Sequence, residues 1–292
     1  MPESGDARRF GDRRDGRQLR SLSPVSRLRP YLMPEWAPRL VSDAAEVGAA
    51  EDWLRAARQA GWRGIGFLHI FIAAYVRTVS QYPALNRFVA GRKIFARNGI
   101  EVVMSVKRAP EAGEEETVIK ARFHPADTVF EVYRKLGAKI DAINAGEDQG
   151  RAERTAESLM NLPAPLLRLV LWFFNVLDFF GLLPPSLLDL SPWHGSMNVE
   201  DLSVAGAPPF YRVMSGYGNL PLTAVLGAKR VAKEADPSGY GVERKYIDYK
   251  LVLDGRVADG VDAAEAMRCL KAHLERPAAL ETPPERVVDD VM

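Results

Sequence analysis

One run of eighteen residues, Leu166–Leu183 (LLRLVLWFFNVLDFFGLL), sets the first constraint on the fold, because it decides whether the chain is organised around a bilayer or around a core of its own. Prolines bound it, Pro163 and Pro165 before it and Pro184 and Pro185 after it. Eighteen residues are about the minimum that spans a bilayer. Arg168, Asn175 and Asp178 lie inside the run, however, and a charge at mid-membrane costs about 2.5–3.5 kcal/mol. Spacings of seven and three put those residues on one narrow stripe of a helix and leave the rest of its surface apolar. The run therefore reads first as a helix that is buried or contacts another subunit. The next reading is an interfacial membrane helix or a lid over an apolar substrate, with Leu166, Trp172, Phe173 and Phe180 as membrane or protein contacts. A true span comes last.

The rest of the chain has a globular composition: 292 residues, 47% apolar and 26% charged. A chain this long buries roughly 75% of the surface its unfolded form exposes, so it needs no disulfide framework, and Cys269 is its only cysteine. That excludes a Cys-based zinc site within one chain, and no metal ligands are assigned. Lys and Arg total 39 against 38 for Asp and Glu, which gives no overall attraction to nucleic acid. Eight arginines fall in the first thirty residues, with almost nothing apolar before Leu19 and no signal-peptide apolar region after them. We therefore expect a cytoplasmic protein with a basic, partly disordered arm over 1–31, whose first fifteen or so residues are solvated. Docking of that arm on a neighbouring subunit or an anionic surface is the alternative.

Periodicity places a core helix over Phe67–Gln81, where Leu68, Phe71, Ile72, Tyr75, Val76 and Val79 recur at helical spacing until Pro83 stops it. A shorter helix covers Ala50–Ala60. Alternation predicts strands at Lys93–Ala96, Ile100–Val106, Thr117–Phe123, Ser196–Leu202, Leu222–Leu226 and Tyr246–Leu253. The acidic stretch Glu111–Glu116 is expected as a loop. Thr128 and Glu131 have capping-box spacing ahead of a helix closed by Gly146, and a polar linker of about ten residues follows. A last helix runs from about Val261 to Leu274. Strands and helices mix without the regular alternation of a doubly wound fold.

Three stretches carry a resemblance. The first, LVLDGRVADGVDAAEAMRCLKAHLERP from Leu251, resembles the end of the catalytic domain of the acyltransferase component of 2-oxo acid dehydrogenase complexes, where a strand runs into Asp-His-Arg-x-x-Asp-Gly and a helix. Asp254, Arg256, Asp259 and Gly260 match, and Gly255 takes the histidine position. The second, Gln81–Val106, is similar to the family's Pro-x-Leu-Asn segment through Pro83, Leu85 and Asn86. The third, His194–Gly206 (HGSMNVEDLSVAG), is similar to its Gly-Thr-Phe-Thr-Ile-Ser-Asn-Leu-Gly strand. The resemblance runs from about Leu32 to Pro277. It implies a mixed-sheet α/β fold, a two-layer α+β sandwich of the chloramphenicol acetyltransferase type, as one catalytic-type domain over 32–277 with an apolar helical insertion at 163–190 and a tail at 278–292. It also implies a homotrimer with active sites between subunits, taking coenzyme A or acyl-coenzyme A as substrate and a small-molecule acyl acceptor.

The departures bear on chemistry. In the family the motif histidine takes the proton from the attacking thiol, and losing a positioned base costs 10²–10⁴ in rate; Gly255 carries no such group. The family's oxyanion serine aligns with Glu200, an acceptor where a donor is needed, although a buried Glu200 is itself a candidate base. The resemblance makes Gly255, Glu200 and Asp259 the catalytic positions, with Asp254, Arg256, Gly260 and Asn198 shaping the substrate channel. Asp259 also suits a helix cap. His69, His124, His194 and His273 read as structural; His194 starts the strand bearing Glu200 and is a poor substitute base within one subunit. Cys269 reads as a small buried hydrophobe. No Asp-Lys-Ala tripeptide marks a lipoyl attachment site, and too few residues precede Leu32 for a lipoyl domain, so we expect a stand-alone domain whose acyl group comes from a separate molecule. An acyltransferase with reduced or lost activity is the leading reading. A non-catalytic trimeric scaffold or binding module that docks on a partner or membrane is the alternative.

Overall fold

The computed structural model describes residues 11–33, 37–107, 116–144, 159–235 and 241–291. Most of the expected acidic loop, Gly146 and the polar linker lie outside the described residues. The chain opens with β1 (Gly16–Gln18), α1 (Pro24–Leu32), β2 (Pro38–Glu46), α2 (Gly48–Gln59) and α3 (Phe67–Gln81). Then come β3 (Arg87–Ala90), β4 (Lys93–Arg97), β5 (Ile100–Lys107), β6 (Glu116–Phe123) and α4 (Val129–Asn144). The second half holds α5 (Ala164–Phe179), α6 (Pro185–Leu190), β7 (Met197–Asp201), β8 (Leu222–Ala235), β9 (Gly241–Asp254) and α7 (Gly260–Glu275).

Six strands form one sheet in the order β2-β9-β8-β7-β5-β6, in which β7 runs parallel to both neighbours and the other pairs are antiparallel. One face packs on α3, which is buried without interruption from Ile70 to Ser80. Its polar members Arg77, Thr78 and Ser80 bond to carbonyls, and α3 is the axis of the large core shared by the sheet, α2, α4 and α7. The capping box forms as expected: Thr128 Oγ1 accepts from the Glu131 N–H, and the Glu131 carboxylate accepts from the Thr128 N–H. A second sheet, β1-β4-β3, carries its own small cluster of Phe88, Ala90 and Phe95.

Three expectations need correction. The solvated-arm reading fails from residue 11 onward. Arg13 is buried, its guanidinium bound to Asp15 at 2.9 Å and Asp178 at 2.5 Å, and β1 pairs with β4. One carboxylate two residues away and one distant in sequence, Asp178, together make a buried place for a cation that local composition does not reveal. Second, the apolar helix is not buried in the chain: of α5 only Asp178 is buried, while Arg168 and Asn175 of the same stripe are exposed. Third, β8 and β9 extend well beyond the predicted strands as a two-stranded ribbon held by Lys233–Glu243, Arg244–Glu234 and Arg230–Asp248. Solvent on both faces removes the apolar alternation that betrays a strand. Residues beyond Pro277 are also packed: Leu280 is buried, and Asp290 pairs with Arg87.

Among the described residues, no helix is long and apolar enough to cross a membrane.

Candidate functional site

The motif Asp254–Gly260 is the turn between β9 and α7. Asp259 is extended and caps α7, its Oδ1 accepting from the N–H groups of Val261 at 3.0 Å and Asp262 at 2.8 Å; Gly260 is the first helical residue. Asp254 is buried, and its carboxylate accepts from the Arg256 guanidinium at 2.9 and 2.7 Å and from the Arg256 N–H at 2.9 Å. Burying the carboxylate against a forked guanidinium satisfies both groups and fixes the turn.

Gly255 is glycine for want of room. Its N–H donates to the Ala37 carbonyl at 2.8 Å, and a Cβ at this position would lie 2.7 Å from that oxygen and 3.4 Å from Arg39 Nε. The side chain of Arg39, reached through the β2–β9 pairing, thus fills the space in front of Gly255, and its Nη1 is buried without a hydrogen-bond partner. A cavity of about 40 Å³ beside the turn, lined by Ala37, Pro38, Met214, Asn219, Asp254 and Arg256, has room for a few waters.

Glu200 and Asn198 sit on β7 in the middle of the sheet. Glu200 pairs with the Arg212 guanidinium, so its charge is compensated, while its Oε2 is buried without a hydrogen bond. Glu200 is opposite Val225 and Val225 opposite Lys250, five residues before Gly255. At about 3.3 Å per residue and 4.8 Å per strand, Glu200 and Gly255 are roughly 19 Å apart in one chain. The fold does not bring the two chemical positions together within a subunit. Sequence reasoning missed Arg39 and Arg212. Arg212 lies in an irregular segment with no periodic signal, and Arg39 on an edge strand where only Ala45 is buried.

The histidines are structural. His69 Nδ1 accepts from the Gly66 N–H and His124 Nδ1 from the Ala126 N–H. Burial pushes His69 and His273 below the ordinary imidazole value, and Arg77 adds to the shift at His273. His194 lies between Ser191 Oγ at 2.7 Å and Asp178 Oδ1 at 3.5 Å. This has the members of a hydrolytic triad, but Asp178 is already held by Arg13 and His194 is 1% exposed, so the imidazole has no route to an external substrate. Cys269 is half-buried, with its thiol pushed up chiefly by burial. A second cavity, of about 700 Å³, opens at the end of β7 that carries Glu200. Leu54, Phe67 and Ile247 give it an apolar floor, and its rim carries Arg55, Arg58 and Lys229 together with Glu51, which pairs with Lys229, while Arg55 pairs with Asp52 and Arg58 donates to the Ile65 carbonyl.

This mixed sheet, with its buried axial helix and capped motif turn, is a fold shared with a dihydrolipoamide acetyltransferase and with the core of a pyruvate dehydrogenase complex. No protein-family model matches the chain, and no curated protein matches it significantly in sequence. Solved structures do. A probable dihydrolipoamide acetyltransferase from Listeria monocytogenes 4b F2365 superposes with a TM-score of 0.59 at 13% identity, over 87% of this chain and 93% of that one. The cubic core of a pyruvate dehydrogenase multienzyme complex gives 0.58 at 12% identity, over 96% and 98%. The dihydrolipoamide acetyltransferase of Azotobacter vinelandii, studied for the roles of a serine, a histidine and an asparagine in its catalytic mechanism, gives 0.55 at 12%, over 88% of each chain.

Proposed function

We propose that this chain is an acyltransferase-class domain that binds coenzyme A or an acyl-coenzyme A as a homotrimer and moves the acyl group to a thiol or other small acceptor. The observation that carries this reading is the retained turn, Asp254–Arg256 locked together and Asp259 capping α7, on a fold matched along almost the whole chain. The separation of Gly255 from Glu200 within one subunit supports a site completed by a neighbouring subunit. The 700 Å³ cavity has the size of a ligand site; its apolar floor suits an acyl or pantetheine arm, and Arg55 and Arg58 at its rim are the cations that would meet the phosphates.

One observation favours the second reading, a binding or scaffold module without turnover: the space before Gly255 is filled by Arg39 and the Ala37 carbonyl, where the resemblance requires a base. The test is thiol release from a short acyl-coenzyme A with dihydrolipoamide as acceptor, alongside calorimetric titration of coenzyme A and the mass of the particle in solution. Release above the uncatalysed rate supports the enzyme. Coenzyme A binding that Arg55→Glu weakens, without turnover, supports the binding module. A monomer that binds no coenzyme A overturns both.

A further inference from the structure

The helix α5 is attached to the molecule the wrong way round for a helix of a water-soluble body. Its one buried side chain is an acid, Asp178, held by Arg13 and His194, while its large apolar residues face outward: Trp172 is 61% exposed, Leu169 and Phe173 are exposed as well, and Phe180, just past its end, is 68% exposed. Contiguous apolar surface of this kind marks an interaction site. It does not stop at α5. The turn between β3 and β4 lies against the end of the helix, where a Cβ on Gly91 would meet the Phe179 carbonyl, and the next residue, Arg92, stacks its guanidinium over the Tyr31 ring of α1. The outer face of α1 is apolar too, with Leu28 and Tyr31 exposed.

Exposed cations border this surface: Arg14, whose guanidinium donates to the Leu183 carbonyl, Arg27, Arg92, Lys93 and Arg168. The nearby carboxylates Asp15 and Asp178 are taken up in the Arg13 network, and Asp189 pairs with Arg122. We infer that the outward faces of α1 and α5 form a docking surface for an anionic bilayer, with the aromatic and leucine side chains entering the interface and the arginines meeting lipid phosphates. Sixteen residues make α5 about 24 Å long, too short to span but of a length to lie in the interfacial plane. A two-fold pairing of copies through this face would set its arginines against one another, whereas an anionic surface complements both its apolar and its charged parts; contact with a neighbour in a trimer is the outcome that the particle mass distinguishes. The inference is independent of acyl transfer.

The experiment is flotation of the full chain with vesicles of phosphatidylcholine alone or of phosphatidylcholine with about a third phosphatidylglycerol. The expected result is association with the anionic vesicles, about tenfold weaker or more with the neutral ones, reversed by high salt and abolished by the triple variant Trp172→Glu/Phe173→Glu/Phe180→Glu. These side chains touch solvent, so folding is checked by circular dichroism rather than assumed. As a second readout that needs no disruptive change, brominated lipid quenches the fluorescence of the wild type and does so less in Trp172→Phe, which still floats. No association with either vesicle, or flotation unchanged in the triple variant, overturns the inference. So does a fall in particle mass in the triple variant without any lipid binding, which would show that a second copy covers this face.

Discussion

At residue scale, position 255 separates packing from chemistry. The backbone of β2 approaches so closely that any side chain must displace the Ala37 carbonyl, to which the Gly255 N–H is bonded. Introducing an imidazole by Gly255→His is therefore expected to lower stability by about 1–3 kcal/mol, the ordinary cost of overpacking, and to leave acyl transfer no faster. Urea unfolding and thiol release measure the two. Asp259 makes the complementary case: Asp259→Ala removes the cap of α7 and should cost about 1 kcal/mol in the same unfolding experiment, while Asp259→Asn, which keeps an acceptor, costs a few tenths. Asp254, Arg256, Asp259 and Gly260 were legible as a group because they are adjacent in the chain. What fills the space in front of Gly255 was not, because Ala37 and Arg39 reach Gly255 only through a strand pairing more than two hundred residues long-range.

At the scale of elements, α5 depends on a polar tether. Against the opposing effect of burial, the nearby His194 and Arg13 hold Asp178 below the usual carboxylate range, and Arg13 and Arg97 do the same for Asp15. A carboxylate depressed in the folded state contributes stability that is fully present above its unfolded value, about 3.9, and is lost as the pH falls through its lower folded value. Asp178→Asn should accordingly destabilise the molecule most at neutral pH, by up to about 3–5 kcal/mol for breaking a buried pair. The gap from the wild type should close below about pH 4, as followed by thermal unfolding across that range. Periodicity found α3, β5 and α7 nearly to the residue, because each turns one consistent face to the core. It failed for β2 and for the outer ribbon of β8 and β9, whose residues answer to cross-strand charges, and it misplaced α5, whose neighbours are set by one acid rather than by its apolar majority.

At the scale of the whole molecule, the first described residues are part of the body. Deleting the chain through Asp15 removes Arg13 from Asp178 and takes the Asp15 charge from buried Arg97, so the truncated protein is expected to unfold several degrees below the full chain, about 4 °C or more, in differential scanning calorimetry. The same region is joined to the far end of the chain: Arg17 donates to the carbonyls of Asp290 and Val291, and the Val288 N–H to the carbonyl of Ser80. These closures bridge as many as 274 residues in sequence, and loops that long are entropically costly to close before the rest of the chain is in place. The segment bearing Arg13 is therefore expected to dock late, so that weakening it acts mainly on the rate of escape from the native state rather than on the rate of arrival. An Arg13→Ala variant would fold at nearly the wild-type speed and unfold faster, so this clamp governs how long the folded molecule lasts.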